Sequence, residues 1–148
     1  IKEHNDSTIK EDFFEFLEER DYSLSYKMPF LLAIVKHIDS IGDAKIEEVL
    51  DDYIAFYQER LSRGLQVDRS TCPYDEKMLK DRKAVQRNML TNPFEKFERK
   101  RFLYYSKDLS VISMNHALFG QMKEEDWERV RRQMREDLRK YYDGMGGM

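Results

Sequence analysis

Three histidines, one cysteine and a scatter of carboxylates are the side chains in this 148-residue chain whose types suit covalent or metal chemistry. His4, His37 and His116 lie far apart, with no H-E-x-x-H run and no cysteine pair, so the spacing of a zinc site is missing. His37 closes an apolar helical run, where a cation complements the carbonyls of a helix end. Cys72 stands in a turn-like stretch without a nucleophile signature around it. Glu98-Arg99-Lys100 has the E-x-K spacing of a nuclease half-site, with Asp75 or Asp81 as the carboxylate partner it would need. That chemistry requires acids converging on a magnesium ion from rigid elements, and Glu98 falls at a helix end. Glu124-Glu125-Asp126 opens a helix, and a G-x-x-x-x-G-K-[ST] phosphate loop is absent. The expectation is a segment that is not an enzyme, with no catalytic residue, no cofactor and no metal.

The chemistry that remains is electrostatic. Residues 76–107 hold 10 basic and 4 acidic side chains, whereas residues 1–62 hold 7 basic and 15 acidic ones. Lys96, Arg99, Lys100 and Arg101 follow Pro93, and Lys107 falls between two strand-like runs. These five, with Lys83 and Arg87, are the expected nucleic-acid contacts, and Lys80 and Arg82 would extend the footprint. Glu95 and Glu98 on the same short helix would repel phosphate. The alternative is a solvated or protein-facing surface, with the acidic half packed beside the basic half. The overall charge of −3 excludes a protein that coats a polyanion with its whole surface.

Positioning these cations falls to a helical scaffold. Thr8 and Glu11 have capping-box spacing ahead of a helix bearing Phe13, Phe14, Phe16 and Leu17 that ends near Arg20. Ser25 is placed to cap a helix over 26–38, apolar nearly all round, with Pro29 in its first turn. After a turn at 39–43, Ala44-Lys45-Ile46 reads as a short strand. Ile46, Val49, Leu50, Tyr53, Ile54, Tyr57 and Leu61 then mark a helix stopped by Gly64. Residues 65–74 form the longest loop. Helices are expected over 76–80 and 82–90, then one capped by Asn92 with Pro93 at its first position. Strands are expected over 102–105 and 109–114 about a turn at 106–108. Asn115 caps a segment over 116–122. Trp127, Val130, Met134, Leu138 and Tyr141 stripe a last helix over 124–142.

Helix, strand, helix, helices and hairpin make the chain mainly α, with a winged-helix-like core over 23–114. Extra helices flank it over 1–22 and 115–143, and a flexible tail covers 144–148. Composition suits one globular domain: 41% hydrophobic and 13% aromatic residues are far from a disordered profile. A lone cysteine fits a reducing, cytoplasmic setting, and no apolar run is long enough for a bilayer. Ile1 and the polar opening IKEHNDST point to a piece of a larger protein. Tyr104, Tyr105, Tyr141 and Tyr142 are interface anchors if exposed.

The runs SYKMPFLLAIVKHI, DAKIEEVLDDYIAFYQERLSRG, CPY and NPFEKFERKRFLYY carry the small anchors Gly64, Pro73, Asn92, Pro93 and Phe94. They resemble a C-terminal winged-helix-like accessory module of prokaryotic superfamily-2 helicase-like proteins of the restriction and phage-defence type. The likeness covers residues 22–142. It implies a DNA-related setting, with the ATPase motor and any nuclease elsewhere in the parent polypeptide, and it assigns no catalytic residue here. The partners it implies are double-stranded DNA and the motor itself. An interaction module that docks on the motor or on a second copy, without DNA, is the alternative.

Overall fold

The computed structural model describes residues 5–19 and 23–145. Its elements follow the order α1 (Ile9–Glu18), α2 (Lys27–His37), β1 (Asp43–Lys45), α3 (Ile46–Ser62), α4 (Glu76–Leu79), α5 (Arg82–Thr91) and α6 (Pro93–Arg99). Then come β2 (Leu103–Ser106), β3 (Val111–Met114), α7 (His116–Gln121) and α8 (Glu124–Asp143). The three strands form one antiparallel sheet in the order β1-β3-β2. Tyr104 faces Ser113 across β2 and β3, and Ser113 faces Asp43 on β1. A strand from between two helices thus pairs with the later hairpin, and the chain is mainly helical with a winged-helix-like core.

Helix α2 lies at the centre because it cannot stand anywhere else. Met28, Phe30, Leu31, Ala33, Ile34 and Val35 are all buried, and the helix packs on both α3 and α8. An apolar stripe that wide needs cover on several sides. Aromatic rings join the layers: Phe16 of α1 meets Phe97 of α6 at 5.0 Å, Phe97 meets Phe30 at 5.8 Å, and Phe13 meets Phe102 at 5.3 Å. The Phe16–Phe97 and Phe13–Phe102 pairs are edge-on and the Phe30–Phe97 pair is tilted, and such aromatic pairs add about 1 kcal/mol each beyond their buried area. Buried Lys27 donates to Phe16 O at 2.8 Å, so its ammonium serves the carbonyl end of α1.

Helix ends depart from the expected caps in three places. Thr8 has helical dihedrals (φ −109°, ψ −6°) and makes no cap bond; its hydroxyl donates to Asp12 Oδ2 at 3.3 Å, and Asn5 Oδ1 takes the N–H groups of Ser7 and Thr8. A capping side chain needs extended backbone, and Thr8 lacks it. Ser25 does not cap α2 because its hydroxyl is committed elsewhere in the interior. Asn92 makes no cap bond to α6, and its amide donates to Asn88 O at 2.8 Å at the end of α5. Asn115 does cap α7, accepting from the N–H groups of Ala117 and Leu118. Gly64 (φ +72°) stops α3, with Leu65 N–H donating to Arg60 O at 2.9 Å. Helix α1 ends at Glu18, and Arg20 lies outside the described residues. Of the expected tail, Gly144 and Met145 are described, and Met145 packs against the core. Among the described residues no helix is long and apolar enough to cross a membrane.

Candidate nucleic-acid interface

Pro93 at the first position of α6 supplies a preset φ, and the buried rings of Phe94 and Phe97 hold the helix down. Lys96, Arg99 and Lys100 are left on the outside. Helix α6 ends in a tight C-cap: Phe102 N–H donates to Phe97 O and Arg101 N–H to Glu98 O, both at 2.9 Å. This places Arg101 at φ +64°, a conformation normally left to glycine. The Arg101 carbonyl accepts from Asn115 Nδ2 at 3.2 Å, which steadies the turn into β2.

Strands β2 and β3 carry the chain outward from there. The turn at their far end covers residues 107–110, one residue later and one longer than the sequence pattern suggests, because Ser106 still pairs with Val111. Ser110 takes φ +55°, its carbonyl accepts from Ile46 N–H at 2.9 Å, and Leu109 N–H donates to Ser106 Oγ at 3.2 Å. The wing tip is therefore fastened to the first turn of α3. Four strand residues separate Arg101–Phe102 from Lys107, roughly 13 Å of extended chain.

The expected cations thus occupy separate stations. Arg99, Lys100 and Arg101 stand at the base of the hairpin and Lys107 at its tip, while Lys83 and Arg87 share one exposed stripe of α5. Their states differ. Arg99 is held by Glu95 at 3.4 Å. Among the described residues, Lys83, Arg87, Lys96 and Lys107 make no ion pair. Arg82 is a structural cation: it binds Glu47 and Asp51 of α3, each at 2.9 Å, and these carboxylates raise its pKa. Lys80 pairs with Glu76.

The residues considered for catalysis are dispersed or already employed. Asp75 caps α4 and Asp81 caps α5, accepting from Met78 N–H and Ala84 N–H. Neither spare geometry nor a shared ion site joins them to Glu98, and no group of three or more His, Cys, Asp or Glu among the described residues is placed to hold a metal. His37 Nε2 lies 2.7 Å from Asp52. Burial raises the Cys72 pKa, against thiolate formation, and its sulfur meets the Tyr26 hydroxyl at 3.6 Å. His4 lies outside the described residues.

A second polar constellation was not legible in the sequence. Asp68, in the middle of the loop expected over 65–74, is only 5% exposed. It accepts from Ser25 N–H at 2.9 Å, Ser25 Oγ at 2.5 Å, Tyr141 OH at 2.5 Å and Arg69 N–H at 2.7 Å. Since Ser25 gives its proton to Asp68, Tyr57 OH donates to Ser25 Oγ at 2.8 Å. Tyr142 OH donates to Val67 O at 2.7 Å. Nearby, Tyr53 OH donates to Tyr74 OH at 2.8 Å, and Tyr74 OH donates to Asn88 Oδ1 at 2.7 Å. Burial raises the hydroxyl pKa values of Tyr26, Tyr53, Tyr57, Tyr74, Tyr141 and Tyr142 above the usual tyrosine value. Of the four tyrosines proposed as anchors, Tyr104 alone is exposed, at 43%. Tyr141 is buried, and Tyr105 and Tyr142 are half-buried.

The fold defines a mainly helical, winged-helix-like chain with exposed cations on α5, α6 and the hairpin turn and with a hydrogen-bonded tyrosine cluster inside. Comparison of the chain with protein-family models, with curated proteins and with solved structures found no match in any of the three.

Proposed function

We propose that this chain is a non-catalytic accessory module of a larger cytoplasmic DNA-processing protein of helicase or restriction type, contacting DNA backbone through α6 and the hairpin. The observation that carries the reading is that four of the seven expected cations, Lys83, Arg87, Lys96 and Lys107, are without an ion pair among the described residues. Arg82 and Lys80 beside them are neutralised by carboxylates. Unpaired cations on neighbouring helices and a wing suit phosphates spaced across a groove about 12 Å wide. The hairpin separates its base and tip by a similar length. The parent-protein part of the reading rests on the resemblance of residues 22–142.

The test is titration of a short labelled duplex by fluorescence anisotropy at several salt concentrations. Affinity is expected to fall steeply from about 50 to 200 mM salt, and reversal of Arg99 and Lys100 to Glu to weaken it about tenfold. Salt-independent or undetectable binding would reject the reading.

A protein-docking role is favoured by a different observation. An open groove of ≈ 530 Å³ lies over α2 between α3 and α8, with Leu32 and Phe56 in its floor and Lys36, Arg131 and Arg135 at its edges. Lys36 and Arg131 are already paired, with Asp52 and with Glu124 and Glu128. Binding of the parent motor without duplex binding is the outcome expected on this second reading.

A further inference from the structure

Two helices flank α2 and leave part of it uncovered between them. Ser25, just before α2, meets Tyr57 OH of α3 at 2.8 Å and Tyr142 OH of α8 at 3.2 Å. At the other end of α2, His37 meets Asp52 of α3 at 2.7 Å, and Lys36 shares the groove with Arg131 of α8. Both neighbours therefore run antiparallel to α2. They come together near Ser25, where the Tyr142 ring lies 6.2 Å from Phe56 and 3.5 Å from the Arg60 guanidinium. The groove of ≈ 530 Å³ lies beside this closure. On α2 its lining includes Pro29, Leu32 and Lys36, a single stripe with steps of three and four residues. Leu32 and Phe56 are half-buried there. An apolar stripe between two flanking helices is a seat for a further helix, which packs at roughly 8–10 Å between axes.

The charges around the groove select the guest. Lys36, Arg131 and Arg135 line it against one carboxylate, Asp52. Asp52 is already taken, by His37 and by Lys36 at 3.2 Å, and Arg131 is held by Glu124 and Glu128. Arg135 is exposed and makes no ion pair among the described residues. Arg60, at the closed end, stacks on Tyr142 and donates to Gln66 O at 2.8 Å, and among the described residues no carboxylate pairs with it. Two cations are thus open to a guest, and the one acid in the lining is not. A basic guest would bring charge without a partner, whereas an acidic one finds partners on both walls. We infer that this groove seats an acidic amphipathic helix of a partner chain. Its apolar face covers Leu32 and Phe56, and its carboxylates pair with Arg135 and Arg60. The inference rests on the protein-docking reading of the groove and names the chemistry of what docks. Such helices present anchors at i, i+3, i+4 and i+7, with their charges on either side of that stripe.

The experiment presents the 148-residue chain to a displayed library of amphipathic helices. Each helix has about 18 residues, enough to hold its own structure. Leucine is fixed at i, i+3, i+4 and i+7, and the flanking positions vary among Glu, Gln and Lys. Helices rich in Glu are expected to be enriched, and synthetic copies to bind in fluorescence anisotropy. Leu32→Asp is expected to abolish that binding. Arg135→Glu is expected to weaken it about tenfold and, used as bait, to turn the enrichment toward Lys. Equal thermal midpoints show that the variants are folded, and Arg135, being exposed, supplies a variant that leaves the interior alone. Enriched helices that depend on Leu32 but carry no acidic bias overturn the acidic guest and leave docking standing. No enrichment, or binding indifferent to both variants, overturns both.

Discussion

The loop around Asp68 and the turn around Leu109 are both irregular segments, and they are built in opposite ways. Asp68 is sunk in the interior with four donors directed at it, and tyrosine hydroxyls in the surrounding layer bond to Ser25, Val67 and Asn88. The hairpin turn has an exposed leucine, an unpaired lysine and a serine in left-handed backbone. One loop spends its polar groups on holding the chain together. The other is fastened through its backbone, leaves the Lys107 and Leu109 side chains exposed, and accepts backbone strain of about 1 kcal/mol. A buried, fully bonded network rigidifies and specifies one packing, whereas exposed, strained turns are where contact with other molecules is made.

The largest effect that would break this contrast is alkaline unfolding. Tyr53 and Tyr57 are fully buried, and their pKa values are raised by burial. The unfolded chain loses tyrosine protons near pH 10 while the folded chain keeps them. Stability is therefore full below about pH 10 and falls above it, by about 1.4 kcal/mol per pH unit for each retained proton. Urea midpoints between about pH 8 and about pH 11 should drop accordingly, and Tyr57→Phe should flatten the slope. A flat wild-type profile would show that the cluster is wet.

Next in size is Asp68→Ala. It strands the donors of Ser25 and Tyr141 in the interior and should cost about 3 kcal/mol in chemical denaturation. Duplex affinity of the folded protein should stay as it was, since Asp68 faces inward. Loss of affinity at constant fold would couple the two regions and dissolve the distinction.

Lys96→Glu combined with Lys107→Glu should do the reverse. Neither lysine is paired among the described residues, so the thermal midpoint should hardly move while duplex affinity falls about tenfold and the salt slope shrinks by about two phosphates. The smallest effect is Ser110→Gly, which relieves the left-handed strain and should stabilise the chain by about 0.5 kcal/mol after glycine's extra chain entropy. Arg101→Gly should gain a similar amount in stability and lose a few-fold in duplex affinity, a trade that only a surface built for contact would show.

Much of the scaffold was legible in the pattern of side chains. The stripe from Ile46 to Leu61 marked α3, Pro93 the start of α6, Gly64 the end of α3, and Asn115 the cap of α7. Those signals are local: a period, a missing N–H, a tolerated φ or a side chain reaching its own backbone. Thr8, Ser25 and Asn92 were misleading for the same reason. Each is a capping residue type before a helix, and each has a better partner nearby or far away. Competition between partners at different sequence distances has no local signature.

Composition and periodicity determined by themselves that this is a mainly helical chain with a small hairpin sheet and a net positive segment over residues 76–107. Burial periodicity and turn chemistry act over a few residues, so they survive reading along the chain. Only the tertiary structure decided that Asp68 lies in the core with Ser25 and Tyr141, 43 and 73 residues away. Likewise, Arg82 is neutralised by α3 while Lys83 next to it is not. Hydrogen bonds and ion pairs of that range form only after packing has set the distance, and packing is a property of the whole molecule.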